Sequence, residues 1–163
     1  MARGAAATRA HLAMVLGDRP EVLDQLEAAD AAAWEAVDAD LLDLCRMRIA
    51  MLLGHPDEVV ALPPPDGPDP ELVAALASWP TSPRFDDTER ACLAFTEQFV
   101  IDVATMDDAL AFAVVDHLGA DFPAFVNALL VIEQRQRLTL IWQRLFGDAA
   151  PSTATPSINE ETP

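Results

Sequence analysis

Residues 40–53 read DLLDLCRMRIAMLL, and this stretch decides the fold class. Leu41, Leu44, Cys45, Arg48, Ile49 and Leu52 recur at the three- and four-residue spacing of one helix stripe. Leu42, Met47, Ala50, Met51 and Leu53 cover much of the remaining circumference. A helix apolar nearly all round has to be covered on several sides, so it belongs at the centre of a bundle or between subunits. Gly54 follows directly and suits a helix C-terminus.

Working outward, helical spacing recurs and strand spacing does not. Pro20 opens a helix over 20–36, a position where its missing N–H costs nothing. A short helix over 8–17, ending at Gly17, is predicted upstream, and His55-Pro56-Asp57-Glu58 opens another that ends near Leu62. Residues 63–70, PPPDGPDP, hold five prolines in eight positions and can be neither helix nor central strand, which makes them a semi-rigid connector. Further helices are predicted over 71–79, from Asp86 or Asp87 to about 102, over 106–119 with Thr105 or Asp107 as cap, and over 123–145. No alternating run flanks a hairpin dipeptide. The prediction is an all-α chain with an N-terminal arm over 1–19, a helical domain over 20–146 and a disordered Pro/Ser/Thr-rich tail over 147–163.

Composition narrows the function. There are 27 acidic residues against 10 basic ones, every basic residue is Arg, and the formal net charge is −17. Such a surface repels phosphate backbones and anionic lipid, so the expected partners include no nucleic acid and no membrane. Subunit contacts would have to be largely apolar. No run reaches the roughly 20 uncharged apolar residues of a membrane span, and MARGAAATRA lacks a signal peptide's apolar region; a cytoplasmic protein is expected. Arg without Lys, with abundant Ala, Asp and Pro, points to a GC-rich genome. Cys45 and Cys92 lie 47 residues apart among apolar neighbours, where cysteine ordinarily behaves as a small buried hydrophobe.

Several side chains invite chemistry, and each has a plainer reading beside it. His55 and Glu58 are three apart at a helix start. A histidine beside a carboxylate is a general acid–base pair near neutral pH; the same four residues also make an ordinary capped turn, and two ligands do not make a metal site. Asp43 and Arg46 are spaced for an ion pair. Arg48 either bonds a carboxylate or carbonyls of another helix, or holds a substrate anion with its forked donors. Glu133 and Arg137 are spaced four apart in the favourable order for a local pair. Trp79 fits either the core or the wall of an apolar pocket. Phosphate-cradling glycine loops, nucleophile elbows and metalloprotease helix motifs are absent from the sequence.

The order of the pieces resembles the alkylhydroperoxidase D/carboxymuconolactone decarboxylase-like family over about residues 20–145. LLDLCRMRIAMLLG resembles that family's central helix, WPTSPRFDDTERACLAFTEQF (79–99) its tryptophan-to-helix region, and VIEQRQRLTLIW (131–142) its last helix. The resemblance implies a helical bundle, assembled as a homotrimer, hexamer or dimer, with a pocket beside the central helix. It also implies a pattern of departures. The family's proton-handling glutamate falls on Asp43, its two redox cysteines on His55 and Glu58, the following histidine on Leu62, and its paired asparagines on Glu133 and Gln136, while its arginine is kept as Arg137. Thiol peroxidase chemistry needs an attacking thiolate and a resolving thiol, which His and Glu cannot replace. The expectation is therefore a non-redox enzyme of lyase, isomerase, cyclase or decarboxylase type. It would act on a small, largely apolar molecule, in bacterial secondary metabolism by association. His55, Glu58, Asp43 and Glu133 would move protons and Arg48, Arg137 and Trp79 would bind substrate, with no cofactor and no metal. The alternatives are a non-catalytic binding or scaffold protein of the same fold, and a residual peroxidase using Cys45 or Cys92.

Overall fold

A computed structural model of the chain describes residues 12, 13, 16, 19–59 and 70–146. Most of the predicted 8–17 helix, the end of the 55–62 helix with Leu62, the proline-rich connector before Pro70 and the tail over 147–163 lie outside the described residues. Helix accounts for 86% of the described residues and none of them is in a strand. In chain order the helices are α1 (Pro20–Ala36), α2 (Ala39–Leu53), the single turn α3 (Pro56–Val59), α4 (Pro70–Ala77), α5 (Asp87–Asp102), α6 (Asp108–Leu118) and α7 (Phe122–Phe146). Short 3-10 turns, Val103–Thr105 and Gly119–Asp121, join the last three.

α2 is the centre. It packs against α5 and α7, and also touches α1, α3 and α4. Its buried residues, among them Leu42, Cys45, Met47 and Ile49, face several directions, as a helix apolar on all sides requires. One apolar cluster joins Leu42, Cys45 and Ile49 to Cys92 and Phe95 of α5 and to Phe125 and Leu129 of α7. A second, on the other side of α2, joins Leu44 and Met47 to Leu76, Trp79, Phe85 and Leu93.

Local signals set the helix ends. Asp38 caps α2, its carboxylate accepting from the Leu41 N–H at 2.9 Å. Asp86, not Asp87, caps α5 in a reciprocal box: Glu89 N–H donates to Asp86 at 2.8 Å, and Asp86 N–H donates to the Glu89 side chain at 2.8 Å. Asp107, not Thr105, caps α6. The stretch Asp108–Leu145 contains an 18-residue window of mean hydropathy 1.4, long and apolar enough to cross a membrane by length and composition. The 3-10 turn after Leu118, with Gly119 at φ 55°, divides that stretch between α6 and α7.

Candidate functional site

The C-terminus of α2 turns the chain inward. Gly54 adopts φ 68° and ψ 42°, a left-handed conformation that glycine takes without a Cβ penalty. Gly54 N–H donates to Met51 O and His55 N–H donates to Ala50 O at 2.9 Å. This two-bond closure, a Schellman motif, fixes where the chain leaves the helix. It brings His55 and, one turn on, Glu58 into the interior, each only 2% exposed.

An ionic group gathers around that corner. Arg46, fully buried on α2, donates from Nε to Asp43 Oδ1 at 2.7 Å and from Nη1 to the Glu58 main-chain carbonyl. Its Nη1 also stands 4.0 Å from the Glu58 carboxylate. Arg135 of α7 reaches the same carboxylate at 3.5 Å and Asp30 of α1 at 3.5 Å. Gln136 donates to the Arg46 main-chain carbonyl at 3.1 Å. Four helices thus meet on two guanidiniums. Burial raises the Asp30 carboxyl above its ordinary value; Glu58 adds to the rise, while Arg135, Trp34 and Arg46 oppose it. Arg46 Nη2 and Gln136 Oε1 are buried without a hydrogen-bond partner among the described residues.

The other predicted residues stand in two further groups. Arg48 pairs with Glu97 of α5, its Nε donating at 2.5 Å, and the Trp79 indole N–H donates to the same oxygen at 2.6 Å. The polar groups of Arg48 and Trp79 are therefore engaged by a protein carboxylate. Glu133 accepts from Arg137 Nη2 at 2.7 Å, and Arg137 also donates to the Val100 carbonyl at the end of α5. Glu58 and Asp43 thus share one ionic group through Arg46 and Arg135. The buried His55 is joined to it through the backbone, its carbonyl accepting from Glu58 N–H at 3.1 Å, whereas Glu133 with Arg137, and Arg48 with Trp79, do not belong to it.

Sequence reasoning treated Arg46 only as the local partner of Asp43 and named Gln136 only through the family resemblance, and it passed over Asp30 and Glu97. Asp30 lies on a helix rich in exposed acids, and Glu97 is one acid among several on α5; nothing in the spacing separates them from their neighbours.

The two thiols are sealed in the core. Burial pushes Cys92 up to about 12, with Asp86 adding to it, and burial raises Cys45 further still, only partly opposed by a hydrogen bond with Thr96. A thiol held protonated is a poor nucleophile. Among the described residues no three His, Cys, Asp or Glu side chains gather closely enough to hold a metal ion.

No protein-family model matches the chain, and none of the curated proteins compared with it is detectably similar in sequence.

Proposed function

We propose that this chain is a homo-oligomeric helical protein, built like the alkylhydroperoxidase D/carboxymuconolactone decarboxylase-like proteins it resembles, that performs proton-transfer chemistry on a small, largely apolar molecule. The observation that carries the reading is at Arg46: a fully buried guanidinium, bonded to the main chain of the His55–Glu58 corner, with one donor nitrogen that finds no acceptor among the described residues. A buried unpaired donor is costly unless something hydrogen-bonds to it. In this reading a carbonyl or carboxylate oxygen of a bound molecule satisfies it.

The roles follow from the contacts. Arg46 holds the substrate oxygen and stabilises the negative charge that develops there when a proton leaves the neighbouring carbon. His55 is the proton-transfer group. Glu58, Asp43 and Arg135 are positioning residues, since their charges are committed to fixing the Arg46 side chain and the α2–α3 corner. Glu133 with Arg137, and Arg48 with Trp79, act on the scaffold in this reading and not on substrate. Redox chemistry at Cys45 or Cys92 is disfavoured because both thiols stay protonated at neutral pH.

The test is hydrogen exchange at carbon. The protein is incubated in D2O with a panel of small carbonyl acids and enol lactones, and deuterium incorporation is followed by proton NMR. Wild type is expected to exchange at least one member, and His55→Gln to lose that exchange while its helicity is unchanged. Equal exchange in His55→Gln, or none by wild type across the panel, ends the acid–base reading.

A further inference from the structure

α7 leaves an apolar stripe uncovered. Leu130, Ile141 and Leu145 are 47%, 54% and 69% exposed, and their spacing puts them on one side of the helix together with Gln134 and Arg137. Exposed large apolar side chains aligned on one helix face mark an interaction surface.

The stripe is symmetric along the chain. Leu130 and Ile141 lie equally far from the bond joining Arg135 and Gln136, as do Gln134 with Arg137, and the half-buried Val126 with Leu145. A helix laid antiparallel on a copy of itself, with the twofold axis at that bond, sets Leu130 against the partner's Ile141 at both ends. The same arrangement sets Gln134 against the partner's Arg137 on either side of the axis. Such a match between a patch and its own rotated copy is what an isologous dimer requires.

Charge points to the same occupant. The chain carries a net −17, so most of its surface repels a second copy. α7 holds Arg135, Arg137 and Arg144 against the single acid Glu133, and it is the one described helix with more basic than acidic residues. Glu133 is already paired with Arg137 at 2.7 Å, so beside the axis two neutral ion pairs would come face to face, and the exposed Arg144 lies near the end of the stripe, away from the axis.

We infer that the exposed face of α7 is a twofold interface between two copies of this chain, packed antiparallel about the Arg135–Gln136 bond. This rests on the homo-oligomeric part of the proposed function and assigns it a surface and a register.

Disulfide trapping tests the register. In the antiparallel pair two copies of residue 130 lie about 16 Å apart along the axis, given a rise of about 1.5 Å per residue, whereas residue 130 faces residue 141 of the partner. A disulfide needs Cα atoms within about 7 Å. Leu130→Cys mixed with Ile141→Cys is expected to give a disulfide-linked pair on oxidation, and neither variant alone is. Both substitutions are at exposed positions, and Cys45 and Cys92 are buried. Light scattering gives the second readout: wild type is expected to contain an even number of chains, and Leu130→Asp with Ile141→Asp to reduce the mass while far-UV dichroism is unchanged. An oligomer that survives both aspartates, with no 130-to-141 link, overturns this interface and leaves the oligomeric reading standing. A wild-type monomer overturns both. A monomer that floats with phosphatidylcholine–phosphatidylglycerol vesicles assigns the stripe to a lipid surface instead.

Discussion

Arg135 of α7 stands 3.5 Å from the carboxylate of Glu58, closing an ion pair between positions 77 apart in sequence. Both side chains are largely buried, at 11% and 3% exposed. Removing one partner of a buried pair leaves the other charge desolvated, which typically costs about 3 kcal/mol or more. Arg135→Ala is therefore expected to lower unfolding free energy by about that amount in urea titrations. Arg135→Ala combined with Glu58→Gln is expected to cost less than the sum of the Arg135→Ala and Glu58→Gln losses, and strict additivity of those two single changes would refute the coupling.

Asp30 shares Arg135 with Glu58, yet burial raises its carboxyl above the ordinary 3.8. Just above that value the unfolded chain has released the proton and the folded chain retains it. The folded state then binds more protons, so Asp30's contribution to stability falls as pH rises through this window. Asp30→Asn is expected to remove this falling segment from a plot of unfolding free energy against pH. A profile with the same slope as wild type would show that Asp30 does not titrate as described.

The helical layout was legible in the sequence because helix ends and buried faces have local codes. The 40–53 run is apolar all round and does sit at the centre; Asp86 and Gly54 act through neighbours three to five residues away, whereas the Asp38 cap of the same kind went unread. The Asp43–Arg46 and Glu133–Arg137 pairs were legible for the same reason. What spacing could not show is the meeting of distant elements. Arg46 is close to Asp43 in the chain, but its burial and its contact with Glu58 depend on how α3 folds back on α2. Asp30 and Glu97 carry no local mark at all, since a carboxylate on an acidic helix becomes special only when an arginine from another helix reaches it.

Gly54 gives the candidate corner its geometry. A Cβ there would touch nothing within 4 Å, so any cost of substitution comes from the backbone. The left-handed conformation costs an L-residue about 1 kcal/mol. Gly54→Ala is expected to destabilise by that amount and to perturb the His55 and Glu58 backbone amide resonances more than those of α6. A neutral substitution would mean that the Schellman closure does not constrain His55.

Glu97 is the shared acceptor of Arg48 and Trp79, and its loss would expose how these two elements are joined. Trp79 is 8% exposed, so its indole N–H would be left buried without its partner. Glu97→Ala is expected to cost about 1–3 kcal/mol, the usual penalty for orphaning a buried donor. Glu97→Gln, which keeps an acceptor oxygen, should cost less. Equal losses in the two variants would point to packing and not to the hydrogen bond.

The thiols separate acid–base from redox chemistry most directly. With Cys92 pushed up to about 12 and Cys45 higher, the thiolate population at neutral pH is negligible, and both sulfurs are enclosed. Ellman's reagent is expected to modify neither in the native protein and both in guanidinium chloride. Hydrogen peroxide should be neither consumed catalytically nor able to diminish the titratable thiols over the same period. Rapid native labelling of either cysteine, or peroxide turnover lost in Cys45→Ser, would mean that the core opens to solvent on a timescale fast enough for thiol chemistry, and that the sulfurs and not the imidazole carry the reaction.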